Sequence, residues 1–332
     1  MRLLSGSAAA TKSATLAAVA LLTGLGGQMV ASAIEPLGLS KRIVGGAAVA
    51  EGQNRYAVRL DIKSANSDYL CGGTLLDNNL VVTAAHCMFD SDTNSAYEPQ
   101  NVAVCYGSVA VAKMTCTTAR NITVHSQYNP QTYANDIALI QISALKEGDF
   151  ATLPIFQGDL PQNTVLRTMG WGKTSDTATT LPTTLMAVDI KVGDPATCRR
   201  ADSSFKSSDG PEVCSVNALT PGKDSCQGDS GSPAVIQVDG ETYLAALTSA
   251  GLDLNDPTAA TCATSGGIAF YTHVNYFIDF ITHVTGKPAS QYYSARDNDE
   301  ESATTSSKSA ASTTTTRASL LAAALLAGTC LL

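Results

Sequence analysis

Asp224-Ser225-Cys226-Gln227-Gly228-Asp229-Ser230-Gly231-Ser232-Pro233 is the stretch that decides the reading of this chain. Glycines on either side of Ser230 allow a tight turn that displays one hydroxyl. A serine hydroxyl is a poor nucleophile at neutral pH unless a positioned base takes its proton. Far upstream, Thr83-Ala84-Ala85-His86-Cys87 holds a histidine with no obvious core role. Asn135-Asp136-Ile137-Ala138-Leu139 adds a carboxylate in an apolar run, read here as part of a strand. A lone His or Asp is more often structural. The weight lies in the three motifs together, in this order and with these flanks.

Composition bounds the remaining choices. The chain has 332 residues and 44% hydrophobic content, enough for a packed core in one large domain or two small ones. Charged residues make up 15%, the formal net charge is -8, and there is no basic run. Nucleic acid is therefore excluded as a partner class.

Residues 1–33 read as a secretory signal peptide. Arg2 and Lys12 supply positive charge, residues 16–25 a short apolar stretch, and Ala31-Ser32-Ala33 a small-residue cleavage site. A membrane-spanning helix needs roughly 20 apolar residues, more than this run offers. Nine cysteines are an odd number for a secreted chain. Cys330 accounts for the odd one, because it lies in a second apolar stretch at residues 318–332. A Ser/Thr-rich segment at 302–316 precedes that stretch. Small residues, a polar spacer and a greasy tail form the pattern of a GPI-anchor signal that is removed on attachment. Residues 310–332 are assigned to that signal, with Ser309 and Ala310 as attachment candidates. The expected location is extracellular, with the protein held at the cell surface and touching membrane only through the lipid.

Between residue 42 and about 287 the chain reads as many short strands separated by Gly, Asn, Asp and Pro. Examples are Val102-Ala103-Val104, Val109-Ala110-Val111, Ala138-Leu139-Ile140, Ala234-Val235-Ile236 and Leu244-Ala245-Ala246-Leu247. Such spacing predicts an all-β sandwich or barrel. Val274, Phe277, Ile278 and Ile281 recur at helical spacing and predict a closing amphipathic helix. From Lys287 the composition turns to Ser, Thr, Asp and Glu, so 287–309 is expected to be a disordered stalk.

With their flanks, His86, Asp136 and Ser230 resemble the trypsin family of serine proteases, and the resemblance extends over about residues 43–284. It implies an all-β fold: two packed six-stranded antiparallel barrels, a boundary near residues 145–165, and a C-terminal α-helix. The implied peptidase domain is 43–286. By the family's mechanism, Ser230 is the nucleophile and His86 the general base and then acid. Asp136 orients the imidazole, and the backbone N–H groups of Gly228 and Ser230 form the oxyanion hole.

The resemblance carries further roles. Lys41-Arg42-Ile43-Val44-Gly45-Gly46 is similar to the family's activation site, which makes 34–42 a propeptide. Cleavage after Arg42 would free the Ile43 ammonium to pair with Asp229. Asp224 corresponds to the floor of the primary pocket, a site for Arg or Lys of a polypeptide substrate. Ser225, Ser249, Gly251 and Ala269 complete the substrate-binding set. Two positions depart from the family: Ala250 stands where it has Trp, and Ala269 stands where it has Gly. The added methyl narrows the pocket and is expected to alter Arg-to-Lys preference and slow turnover.

The family's bridges imply Cys71–Cys87, Cys198–Cys214 and Cys226–Cys262. Cys105 and Cys116 remain, across an apparent hairpin, and a fourth bridge is expected there. Residues 101–120 contain no Asp or Glu, so no calcium site is expected there, and no metal or cofactor is required. Asn121-Ile122-Thr123 is a glycosylation sequon. Protein inhibitors are the further partners expected, and the resemblance implies a monomer. The rival reading is a catalytically weak homologue that acts as a secreted binding or inhibitor module on the same fold. The altered pocket is the feature in its favour, and the intact triad motifs count against it.

Overall fold

The computed structural model describes residues 43–258 and 261–293. The expected signal peptide, the propeptide with Arg42, the stalk beyond residue 293 and the anchor signal lie outside the described residues. Strands dominate, and they gather into two antiparallel sheets.

A two-residue strand, β1 (Ala47–Ala48), comes first. The first barrel then uses β2 (Ala57–Lys63), β3 (Asp68–Asp77) and β4 (Leu80–Thr83). A one-turn helix α1 (Ala85–Met88) and a small hairpin, β5 (Phe89–Asp90) with β6 (Ser95–Ala96), follow. β7 (Val102–Tyr106), β8 (Thr115–Thr118), β9 (Asn121–Val124) and β10 (Ala138–Gln141) complete this sheet. Its order is β8-β7-β2-β3-β4-β10-β9.

The edge strands β8 and β9 are consecutive in the chain, and the residues between them close the sheet. Ala119 N–H donates to Val102 O at 3.0 Å on one side, and Arg120 N–H to Gln141 O at 2.7 Å on the other. The two edges are thus one bent strand, which reconciles the expected six strands with seven segments and leaves no open edge.

The second barrel holds β11 (Val165–Gly170), β12 (Met186–Lys191), β13 (Glu212–Val216), β14 (Pro233–Val238), β15 (Glu241–Asp253) and β16 (Gly267–His273). Here β1 is added at the edge, against Met186 and Ala187 of β12. The far end of β12 turns to β13 through a Val192–Ser215 bridge and a Gly193 N–H to Cys214 O bond of 2.9 Å. Helix α2 (Pro195–Ala201) lies in the connection, capped by Asp194, whose carboxylate accepts the Thr197 N–H at 2.8 Å.

Strand alternation explains the interiors. Val58, Leu60 and Ile62 on β2 all point inward and are essentially inaccessible. They fill the first barrel with Val81, Val102, Val104 and Ile140. Leu166, Met186, Val188, Ile190 and Tyr271 fill the second. A third cluster includes Leu76, Ile137, Ile155, Trp171, Leu247 and Phe277, so it draws on strands of both sheets and packs them together. All four disulfides form: Cys71–Cys87, Cys105–Cys116, Cys198–Cys214 and Cys226–Cys262.

Several expectations need correction. Val109-Ala110-Val111 is not a strand. It makes a single bridge from Ala110 to Thr184 and enters a 3-10 turn at Val111–Lys113. The closing helix is shorter than its pattern: residues Val274–Phe277 form a 3-10 turn before helix α3 (Ile278–Thr285). Folded structure also continues past residue 286 into the segment expected to be a stalk. A short helix α4 (Ser290–Tyr293) follows, and its Tyr292 is 2% exposed. Tyr292 joins the inter-barrel cluster, and its carbonyl accepts the Ile155 N–H at 2.7 Å. The polar composition after Lys287 concealed one buried tyrosine. Among the described residues no helix is long and apolar enough to cross a membrane.

Candidate active site

His86 is the second residue of α1, directly after the buried β4. The neighbouring Cys87 is tied to Cys71 of β3, which fixes the turn that presents the imidazole. Asp136 lies in the loop before β10, not inside a strand, because Asn135 adopts a left-handed φ of 57°. That turn aims the carboxylate at α1. Asp136 is 2% exposed.

Its bonds are complete. Oδ1 accepts the His86 backbone N–H at 2.8 Å, and Oδ2 accepts His86 Nδ1–H at 2.8 Å. Ser249 Oγ also donates to Oδ2 at 2.5 Å, and Thr272 Oγ1 donates to the Asp136 carbonyl at 2.7 Å. A carboxylate against Nδ1 selects the tautomer with the proton there and leaves Nε2 as a base. The Tyr133 ring meets the imidazole edge-on at 5.3 Å between centroids.

Ser230 lines the same cleft as His86. Its loop is held from both barrels. The Ser230 carbonyl accepts Gly72 N–H of β3 at 2.7 Å, and Gly231 N–H donates to Thr248 O of β15 at 2.7 Å. Two short turns frame the serine: Asp229 N–H to Cys226 O at 2.9 Å and Ser232 N–H to Asp229 O at 3.0 Å. Gly228 sits at φ 95°, a conformation that only glycine adopts without strain.

Beside Ser230 opens a pocket of about 190 Å³, lined among others by Asp224, Ser225, Ser249, Gly251, Cys262 and Ala269. Gly251 and Ala269 face each other across β15 and β16. Asp224 is 7% exposed. Its Oδ2 accepts Asn217 Nδ2 at 2.7 Å and Ala263 N–H at 3.0 Å. Its Oδ1 is buried with no partner among the described residues. Burial raises the pKa of this carboxyl, and the N–H donors from Ala263 and Asn217 oppose the rise.

The family profile described as Trypsin matches residues 43–281. The chain belongs to the trypsin family of serine proteases. It is 30% identical over 244 residues to Trypsin Tyr p 3.0101 of Tyrophagus putrescentiae, covering 72% of this chain and 79% of that protein. It is 31% identical over 250 residues to Trypsin-1 of Astacus astacus, covering 72% of this chain and 98% of that one. Mannan-binding lectin serine protease 1 of Homo sapiens is 27% identical over 264 residues, and only 36% of that longer protein is covered.

In this trypsin-family chain the start of the peptidase region is docked inside the second barrel. Ile43 is fully buried beside Met186 and Leu166. The Val44 carbonyl accepts the Asp224 N–H at 3.2 Å, which ties this segment to the pocket floor. Asp229 is also fully buried. Its oxygens accept Gly172 N–H at 2.8 Å and Cys226 N–H at 2.9 Å. Burial still pushes its pKa up to about 7.

Sequence reasoning missed four supporting residues. Thr272 and Asn217 hold Asp136 and Asp224 through side chains that follow no motif. Asp176 accepts the Cys262 N–H at 2.7 Å and braces the pocket wall. Gly172 is required by close approach, since a Cβ there would fall 2.6 Å from the Asp229 carboxylate. Ser249 is expected from the resemblance as substrate-binding; what the structure shows is its hydroxyl donating to Asp136 Oδ2. Two side-chain groups have metal-like proximity, Cys71–His86–Cys87 and Asp176–Cys226–Cys262. Their sulfurs are committed to disulfides and offer no thiolate.

Proposed function

We propose that this chain is a secreted serine endopeptidase, made as a zymogen, that cleaves polypeptides after Arg or Lys through an acyl-enzyme. One observation carries the reading. The buried Asp136 carboxylate grips His86 at both its backbone N–H and Nδ1, in a cleft that also holds Ser230. His86 Nε2 takes the Ser230 proton as the hydroxyl attacks the scissile carbonyl, then gives it to the leaving amine. The Gly228 and Ser230 N–H groups receive the oxyanion. The unpartnered oxygen of Asp224 is a buried negative site at the pocket floor and favours a cationic side chain.

Activation follows from Asp229. A fully buried carboxylate held, among the described residues, by backbone N–H groups gains from a cationic partner. Cleavage after Arg42 supplies one at Ile43, and the segment is already docked against the Asp224 loop. Activity of the cut enzyme then falls as that ammonium deprotonates above about pH 8 to 9. Surface attachment through the C-terminal signal, and a glycan on the exposed Asn121, belong to the same reading.

The test is fluorophosphonate labelling of cut wild type against Ser230→Ala, with Arg and Lys peptide amides as substrates. Labelling and turnover of wild type alone are expected. A folded, cut wild type that does neither would sink the proposal in favour of a binding module. Arg42→Gln keeps the chain uncut and is expected to be nearly inactive. Release of the cell-surface protein by phospholipase C tests the anchor, and insensitivity counts against it.

A further inference from the structure

We propose that Asn217 is a positioning residue for substrate choice: by holding one oxygen of Asp224, it leaves the pocket a single-oxygen acceptor that suits a lysine ammonium better than an arginine fork. This rests on the reading of Asp224 as the floor of the substrate pocket. A carboxylate oxygen has two lone-pair directions. Both directions of Asp224 Oδ2 are taken, by Asn217 Nδ2 at 2.7 Å and Ala263 N–H at 3.0 Å. Oδ1 is the carboxylate oxygen left without a hydrogen-bond partner among the described residues, with the Ser225 backbone N–H as a further donor near the carboxylate.

Asn217 cannot readily withdraw. It is 1% exposed, in the turn that follows β13. It also lies against Gly267, where a Cβ would fall 2.2 Å from its Nδ2. Ala263 is fixed as well, with a left-handed φ of 58° and its neighbour Cys262 bridged to Cys226. The carboxylate is therefore locked in one orientation by groups behind the pocket.

The chemistry of the two substrate cations then differs. A guanidinium gains most when two parallel N–H groups meet two carboxylate oxygens. Here the second oxygen is already occupied, so the fork is reduced to a single contact. An ammonium has three donors in a compact head and needs one carboxylate oxygen plus other acceptors. Ser225 Oγ lines the same pocket, 3.2 Å from Tyr271 OH, and can serve as one. Ala269 adds its methyl to the wall, which constrains the broader guanidinium more than the slim lysine stem.

The experiment measures kcat/KM of the activated enzyme on matched peptide amides ending in Lys or Arg. It also measures competitive inhibition by benzamidine, an amidinium fork, and by n-butylamine, an ammonium. Wild type is expected to cleave Lys at least as efficiently as Arg. Asn217→Ala frees one of the two directions on Oδ2, the Ala263 N–H keeping the other, and is expected to raise the Arg-to-Lys ratio by about tenfold, mainly through KM. Benzamidine should tighten relative to n-butylamine in step. A merely structural defect would weaken both cations together.

Fluorophosphonate labelling of Ser230 needs no pocket cation and reports whether each variant is folded. If Asn217→Ala does not label, Asn217→Ser is read in the same way. Wild type that prefers Arg by more than about tenfold overturns the proposal, as does a labelled variant with an unchanged ratio. Labelling with an unchanged ratio leaves the protease reading standing. Absence of labelling in wild type removes that reading itself.

Discussion

The two barrels treat buried carboxylates differently. In the first, Asp136 bonds to His86 and Ser249, and Asp77, 1% exposed, meets Lys287 Nζ at 2.5 Å. In the second, Asp224 and Asp229 receive only neutral N–H donors among the described residues. Burial pushes both of their pKa values up, that of Asp229 to about 7. The chain completes the electrostatics of the first barrel from its own side chains and leaves those of the second open. Among the described residues no cation meets Asp224 or Asp229, the two points where the proposed function brings one, from the substrate side chain and from the freed Ile43 terminus.

The sharpest way to break this contrast is to disturb the completed side. Asp136→Asn keeps the shape but places an amide donor against His86 Nδ1, which selects the wrong imidazole tautomer. A loss of about 10⁴-fold in kcat is expected, with fold and thermal midpoint retained. A loss below about tenfold, measured on the activated enzyme, would mean that the saturated network is only structural.

The open side is tested by its pH dependence in the uncut Ser230→Ala protein. The Asp229 carboxyl is near 3.8 when unfolded and about 7 when folded. The folded state therefore holds its proton more tightly, and this group lowers stability as pH rises from about 4 to 7. Above pH 7 the penalty is complete, up to about 4 kcal/mol. Denaturant midpoints at pH 5 and pH 8 should show the fall. Asp229→Asn in that background should flatten it and stabilise the uncut form at pH 8, and with Ser230 intact the cut Asp229→Asn enzyme should lose activity. If the cut wild type keeps the same slope, the Ile43 ammonium does not reach Asp229.

Much of this was legible in the sequence, for identifiable reasons. The residues around His86, Asp136 and Ser230 are short local patterns, each readable from a few neighbouring positions in the chain. Strands such as Ala138–Gln141 announced themselves as short apolar runs between polar turns. The second layer was not legible. Asn217, Thr272 and Asp176 act through single long-range bonds, and no spacing rule marks them. Val109–Val111 looked like a strand because β-branched residues flank it, yet it spends its contacts on one bridge and on the Trp171 Nε1–H bond of 3.0 Å to the Val109 carbonyl. The end of the domain was misjudged because average polarity outweighed one tyrosine.

That misjudged tail supplies the smallest effect and the finest test of the contrast. Lys287 comes from the segment after α3 and brings its ammonium to the carboxylate of Asp77 at the end of β3. Its side chain is 39% exposed, so water screens part of the attraction. Lys287→Met leaves Asp77 buried without that cation. A loss of about 1–3 kcal/mol in unfolding free energy is expected, below the full value of a wholly buried pair. Asp77→Asn in the same background should recover most of it, because a neutral amide does not need the ammonium. Activity per folded molecule should not change, since the site lies apart from His86 and Ser230. If Lys287→Met costs nothing, the first barrel does not depend on its own cations, and the division between the barrels rests on Asp136 alone.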